Sequence, residues 1–409
     1  MKNIKSIINV IISSLIVFFF IFRCNEFKEP PLINEPTIDY AVNPVINNVL
    51  PADSAIAGVR QIVIRGDHYL MAGGDDTTYV YIGGELAKVR SINEQEIIIE
   101  RPRIYGDNMA ISVEVPRALG VAKADYKVEI PVEPFSDFQY VASALSSFAI
   151  APNGDLYIAA SRRIYHLTAD GINLTEIIYL PSAFREMTDM KLGPGGYLYI
   201  ARRDEELYRL DPNAENPETE LYAEFTEDVN YLDFDENGNI YAGDRDGIWI
   251  LNPDKIETFS GYHDDITIKH IRVFNGYVYV ASTKAIYKNI ILDNMGSLGA
   301  TEVVFDLSTI KKYSAGDITS FAIDINGMII ICLKNIPGQS IFVLENDGSI
   351  KPFYNNNILP VNVDQIIYAR DRYMYLNKGI SILGGTETAD SVRVYKMGLQ
   401  YQGAPYLGY

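Results

Sequence analysis

One short pattern returns along the C-terminal two thirds of the chain: a turn, an apolar strand with a tyrosine near its start, a brief loop and a second strand. It is first met as "PNGDLYIAASRRIYHL" and comes back as "GPGGYLYIARRDEELYRL", "DENGNIYAGDRDGIWIL" and "VFNGYVYVASTKAIYK". Looser copies are "DINGMIIICLKNIPGQSIFVL" and "ARDRYMYLNKGISIL". The second turn residue falls at Gly154, Gly196, Gly238, Gly276, Gly327 and Arg372, so the steps lie between 38 and 51 residues. A period of that size is a β-propeller blade, because one such sheet cannot bury both of its faces alone and needs neighbours stacked around a ring.

Each copy has an apolar strand before the turn ("SFAIAP", "DMKLGP", "YLDFDE", "HIRVF", "SFAIDI", "QIIYA"). Most have a fourth strand as well ("TEIIYL", "TELYAEF", "TEVVFDL", "SIKPFY", "SVRVYKM"). The expected architecture is therefore all-β, with six four-stranded blades over residues 138–400 and a tail at 401–409. The weak fourth strand of the third copy ("KIETFSGY") and the missing glycine of the sixth leave five or seven blades open. Asn-Gly pairs at 153–154, 237–238, 275–276 and 326–327 are expected to supply the positive φ of two-residue hairpins. Tyr157, Tyr199, Tyr241, Tyr279 and Tyr375 recur at one blade position, which predicts packing between blades rather than a sugar-stacking stripe. The "NGxxY" turn followed by a strand of the "RIYHL" kind resembles NHL-type propellers. The aspartate that such repeats place after the second strand is kept only at Asp244.

Residues 44–132 follow a different pattern of short strands alternating at period two, among them "RQIVIRGDHYL", "EQEIIIERP" and "MAISVEVP". Alternation over a stretch of this size predicts an immunoglobulin-like sandwich. Pro51, Gly58, "IVIRGDHY" and "VYIGGELAKV" resemble the IPT/TIG family, which implies a spacer or binding module without chemistry. His68 interrupts the family pattern, and a lone histidine in a turn is expected to be solvated.

The chain opens with "MKNIK" and an unbroken apolar run, "SIINVIISSLIVFFFIF", that ends at Arg23-Cys24. Residues 1–23 are expected to act as a signal peptide or membrane anchor. A cysteine directly after the run resembles a bacterial lipoprotein signal, in which Cys24 becomes the lipidated first residue. Arg23, Phe22 and Ile21 depart from the small residues usual there, so lipidation, an uncleaved anchor and cleavage with release all stay open. Each outcome places the rest outside the cytoplasm, tethered to the envelope in the first two, at a bacterial outer membrane or cell surface. Residues 24–43, polar and proline-containing, read as a tether.

With 35 basic against 53 acidic side chains the net charge is −18, and Lys2, Lys5 and Arg23 all lie in the first segment. That excludes nucleic acid as the main partner, since phosphate binding needs a basic excess. The other cysteine, Cys332 in "MIIICL", reads as a buried hydrophobe, so no disulfide framework or cysteine metal site can be drawn.

In a propeller the loops between second and third strands surround one mouth of the channel. Here they hold Arg162, Arg163, Arg202, Arg203, Arg245, Lys284, Lys334 and Lys378, one or two basic residues in each copy. A cationic ring would suit an anionic ligand such as a uronic-acid polysaccharide, a phosphorylated glycan or an acidic peptide. Asp204, Glu205, Asp244 and Asp246 offset part of it. The innermost strands begin near Ser147, Asp189, Asn230, His270, Ser320 and Gln365.

The expected function is envelope binding or scaffolding, with the propeller as recognition head for a glycan or protein, the sandwich as spacer, and no cofactor. The alternative is a metal-dependent hydrolase of the gluconolactonase-like class holding a divalent cation such as calcium. Only Asp189 and Asn230 could serve it, and calcium normally takes six or more oxygens. No HExxH, Walker loop, GxSxG, CxxC pair or GxGxxG stands in a suitable context. His166 and His263 lack a completed constellation and are expected to be structural or solvated. A propeller fold does not choose among these functions.

Overall fold

The computed structural model describes residues 40–57, 61–70, 77–100, 104–135, 145–181, 184, 187–353, 363–368, 371–378, 393–399 and 402–407. Cys24, with the whole segment before residue 40, lies outside the described residues.

The N-terminal unit is a two-sheet sandwich. One sheet has the order Val45–Leu50, Ile62–Asp67, Glu96–Ile99, Val89–Ile92, and the other runs from Ser54–Ile56 through Ala122–Glu129, Gly106–Glu114 and Tyr79–Ile82 to Glu85–Leu86. Alternation does what it predicts: Ile62, Ile64, Ile97 and Ile99 face Val80, Ile82, Ile111 and Val113 in a single core. In "IRGDHY" the glycine is dictated by space, because a Cβ on Gly66 would stand 1.8 Å from the Val45 carbonyl oxygen. His68 is exposed at φ 63°, and the next side chain, Tyr69, enters the core.

The rest is a ring of six four-stranded sheets. Five come from continuous runs, with inner strands Leu145–Ile150, Met187–Leu192, Tyr231–Phe234, His270–Phe274 and Asp317–Ile323. Even the weak outer strand of blade three forms, as Glu257–Phe259. Blade six is assembled differently. Val363–Tyr368, Tyr373–Lys378 and Arg393–Gly398 are its first three strands, and the fourth is Val132–Pro134 from the segment after the sandwich. "SVRVYKM", expected to be the fourth strand, is thus the third, and the stretch expected to be third, after Lys378, lies outside the described residues. The ring is closed by a strand that comes from before its first blade.

The repeated tyrosines pack as their period implies: Tyr199 meets Phe234 of the next blade edge-on at 5.0 Å, and Tyr375 of blade six shares a buried cluster with Phe148 and Ile158 of blade one. The Asn-Gly turns differ from expectation. Only Phe274–Tyr277 is a two-residue hairpin, with Asn275 at φ 51° and Gly276 at 74°. The turns after Phe234 and Ile323 are longer, and there Asp235 and Asp324 carboxylates accept backbone N–H groups from the turn, so glycine alone takes positive φ.

The last described segment crosses the ring at the face of these turns. Ala404 N–H donates to the Ile323 carbonyl at 2.9 Å, and Ile325 N–H donates to the Gln402 carbonyl at 2.9 Å. Arg272, fully buried, donates to the Ala404 and Pro405 carbonyls at 2.9 and 2.8 Å, and the ring of Tyr406 lies 3.7 Å from its guanidinium carbon. Arg272 is in turn held by Asp233 of blade three at 2.7 Å. This tail closes one end of the central channel.

Candidate functional site

At the opposite end the channel opens into a cavity of about 450 Å³ to which all six blades contribute. Ser146, Thr188, Tyr231, His270, Thr319 and Gln365 stand for one blade each. The local sequence explains how. Each inner strand starts with two consecutive polar or large residues between apolar ones: "LSSF", "MTDM", "VNYL", "IKHI", "ITSF" and "VDQI". Such a pair breaks period-two alternation, and the strand accommodates it as a bulge. Pairing skips Ser146, Thr188, Thr319 and Asp364 in blades one, two, five and six. In blades three and four, Asn230 and Lys269 donate backbone N–H to the carbonyls of Gly243 and Ala281, the residues that Tyr231 and His270 already oppose. The extra residue re-aims side chains toward the mouth.

In blades one, two and five the second residue of the pair has a different task. Ser147 Oγ donates to Asp189 at 2.9 Å and accepts from Gln365 Nε2 at 3.4 Å, while Asp189 accepts from Leu232 N–H at 3.2 Å. Ser320 Oγ accepts from Ile366 N–H at 3.3 Å. These bonds stitch neighbouring inner strands together. Of the six residues expected at the mouth, His270 and Gln365 line the cavity, Ser147, Asp189 and Ser320 are buried in this belt, and Asn230 sits one position before Tyr231, which takes its place. Ser146, Thr188, Thr319, Asp364 and Asn377 were not anticipated.

Asp189 and Asn230 do not fit a divalent cation. Lys191 Nζ sits 2.8 and 3.0 Å from the two Asp189 oxygens, so an ammonium already fills the place a metal would need. Among the described residues no group of three His, Cys, Asp or Glu side chains could hold a metal ion.

The basic rim is largely paired. Arg163 is bound to Glu176, Arg202 is buried against Asp204 at 2.6 Å and also meets Glu206, and Arg245 lies 3.7 Å from Asp244. Lys284 reaches Asp317 at 2.9 Å, Lys334 meets Asp364, and Arg162 donates to the Tyr179 hydroxyl at 2.6 Å. Arg203 is exposed, and the Lys378 side chain lies outside the described residues. Burial, and after it the nearby Glu205 and Asp244, raise the Asp228 pKa, with Arg245 opposing. Carboxylates accompany the cations around this rim.

Burial, then the charges of Lys191 and Arg272, holds the His270 pKa well below its ordinary 6.5. The folded state therefore refuses a proton that the unfolded chain accepts below about pH 6.5. Stability is expected to fall as pH drops through that value, at a limiting slope of about 1.4 kcal/mol per pH unit from this group. Buried His263, also lowered, adds in the same direction. Urea midpoints measured from about pH 8 to about pH 5 should decline in the native chain and decline less steeply in His270→Gln; equal slopes would refute the assignment. The Cys332 thiol, pushed up to about 12 by burial, is an inert core group.

Residues 44–128 match the family model described as IPT/TIG domain. The sandwich is an IPT/TIG domain. No curated protein matches the sequence. Among solved structures, an auxiliary nutrient binding protein from Bacteroides thetaiotaomicron is similar at TM-score 0.54 and 13% identity, over 88% of this chain and 99% of that one. A putative phosphatase from the same organism gives 0.52 at 12% identity, over 87% and 97%. A putative gluconolactonase gives 0.50 at 15%, over 67% of this chain and 93% of its own. The first two cover the IPT/TIG domain and propeller span together. These likenesses are of fold, which proteins named for binding and for catalysis share. Among the described residues no helix is long and apolar enough to cross a membrane.

Proposed function

We propose that the protein is a ligand-capturing component of the cell envelope, held there through its N-terminal segment and Cys24, with the IPT/TIG domain as spacer and the propeller mouth as binding site. One observation carries this: a channel sealed at one end by the chain's own tail opens at the other into a polar cavity built from all six blades. A blind, pre-formed cavity of this size suits a small ligand or the end of a larger one. The likeness to a protein named for nutrient binding is consistent with that role. A metal-dependent hydrolase is not favoured, because Lys191 occupies the oxygens of the one aspartate it would use. An acidic glycan loses its main support, since five of the eight rim residues already hold carboxylates.

The test is retention of neutral and acidic polysaccharides by the full-length chain, beside two tryptophan variants. Thr283→Trp fills the mouth, whereas Val303→Trp fills a separate groove between blades four and five. Binding is expected to fall at least roughly tenfold in Thr283→Trp and to stay unchanged in Val303→Trp. Equal binding by both would move the site away from the mouth.

A further inference from the structure

The hydrogen-bonding state of the cavity wall specifies what can settle there. Setting aside Asp364, whose carboxylate meets Lys334, four residues that line it carry buried polar atoms without a hydrogen-bond partner among the described residues: Thr188 Oγ1, His270 Nδ1, Gln365 Oε1 and Asn377 Oδ1. Asn230 Oδ1, beside Tyr231, is a fifth. Asn377 and His270 are almost wholly buried, where an unmet polar atom is costly. Their concentration at one level of the ring marks a polar site awaiting partners.

Which partners follows from the fixed amides. Asn377 Nδ2 donates to the Leu145 carbonyl at 2.9 Å, so its remaining atom is the carbonyl oxygen. Gln365 Nε2 donates to Ser147 Oγ, whose own proton goes to Asp189, so the unmet atom of Gln365 is again a carbonyl oxygen. Carbonyl oxygens accept and never donate. Charge supplies little selectivity: Asp364 is paired with Lys334 and Asp317 with Lys284, so among the described lining residues Lys269 is the one ammonium without a carboxylate partner.

We infer that the mouth binds a polyhydroxylated ligand, the end of a carbohydrate chain, whose hydroxyl groups donate to the oxygens of Gln365 and Asn377 and share a hydrogen bond with Thr188 Oγ1, while Lys269 donates to a ligand oxygen. The inference rests on the mouth being the binding site. Recognition runs through hydrogen bonds, so binding does not need a polyanion and changes little with salt. The anionic groups of a polyanion bring acceptors to acceptors, and among the described residues that line the mouth only Lys269 is a cation without a carboxylate beside it.

The experiment measures binding of the full-length chain to neutral gluco-, manno-, xylo- and galacto-oligosaccharides, beside oligogalacturonates and dextran sulfate, at low and high salt. Thr188→Val and Asn377→Leu are the variants. A neutral oligosaccharide is expected to bind with little salt dependence, and Thr188→Val to weaken it roughly three- to tenfold with no loss of thermal stability, since that hydroxyl has no protein partner to lose. Asn377→Leu also breaks the bond to Leu145, so Thr188→Val decides if it fails to fold. Salt-sensitive binding of the acidic probes alone, abolished by Thr283→Trp, would keep the mouth and overturn the ligand class. Binding of a neutral sugar that Thr283→Trp leaves intact would overturn the site itself. Retention of no sugar, or a Thr188→Val chain that keeps full affinity, also overturns the inference.

Discussion

Arg272→Met is expected to cost about 3–5 kcal/mol of stability and to free the C-terminal tail. The guanidinium is buried between Asp233, the Ala404 and Pro405 carbonyls and the Tyr406 ring. Methionine nearly fills the volume but leaves the Asp233 carboxylate buried without its cation, although Val273 N–H still donates to it at 2.8 Å. Two tail carbonyls lose their donors as well. The same interaction thus joins blade three, blade four and the tail, so its loss should register at all three. Urea unfolding gives the first readout, and limited proteolysis read by mass spectrometry gives the second, with new cleavage after Leu399. Arg272→Lys should fall between native and Arg272→Met, because it keeps the charge and loses the forked donor geometry. A native-like midpoint and an intact tail in Arg272→Met would falsify the assignment.

Phe135→Ala in the full-length chain should have a comparable effect, about 3–5 kcal/mol, by opening blade six at its outer edge. Phe135 follows the closing strand, donates its N–H to the Val394 carbonyl at 2.8 Å and packs its ring on Tyr375. The closing strand pairs over three positions only, Val132 with Met397, Glu133 with Lys396 and Pro134 with Tyr395. Such a short ladder depends on the side chains that clamp its ends. Hydrogen exchange over Arg393–Gly398 should rise sharply in the variant while the inner strands of blades three and four keep their protection. Uniform exchange across all blades would mean that the closing strand is not a distinct weak point.

The blade period was legible because five of the six copies carry a glycine in the turn and five carry the tyrosine after it. The IPT/TIG domain was legible because Gly66 and the alternating isoleucines are each forced by local space. Blade six was misassigned for the opposite reason. A three-residue strand carries no period, and Val132 lies far in sequence from Met397, so only the closed ring reveals the pairing. The mouth was half legible. Strand starts in the sequence place His270 and Gln365 at the mouth, but the bulge adds a residue, so in blade three Tyr231 lines it and Asn230 does not. The doubled residues of "LSSF", "MTDM" and "ITSF" were the available signal. At the rim the sequence displays cations plainly, while the carboxylates that pair with Lys284 and Lys334 come from the next blade's inner strand and are visible only in three dimensions.

The closing strand also sets a timetable for making the protein. Val132–Pro134 leaves the ribosome roughly 260 residues before its partner Arg393–Gly398, a delay of roughly ten seconds to a minute at ordinary synthesis rates. The IPT/TIG domain can finish during that interval, whereas blade six must wait for almost the whole chain. Until Arg393–Gly398 is made, the closing strand Val132–Pro134 has no pairing partner, so the ring cannot be latched before almost the whole propeller has been synthesised.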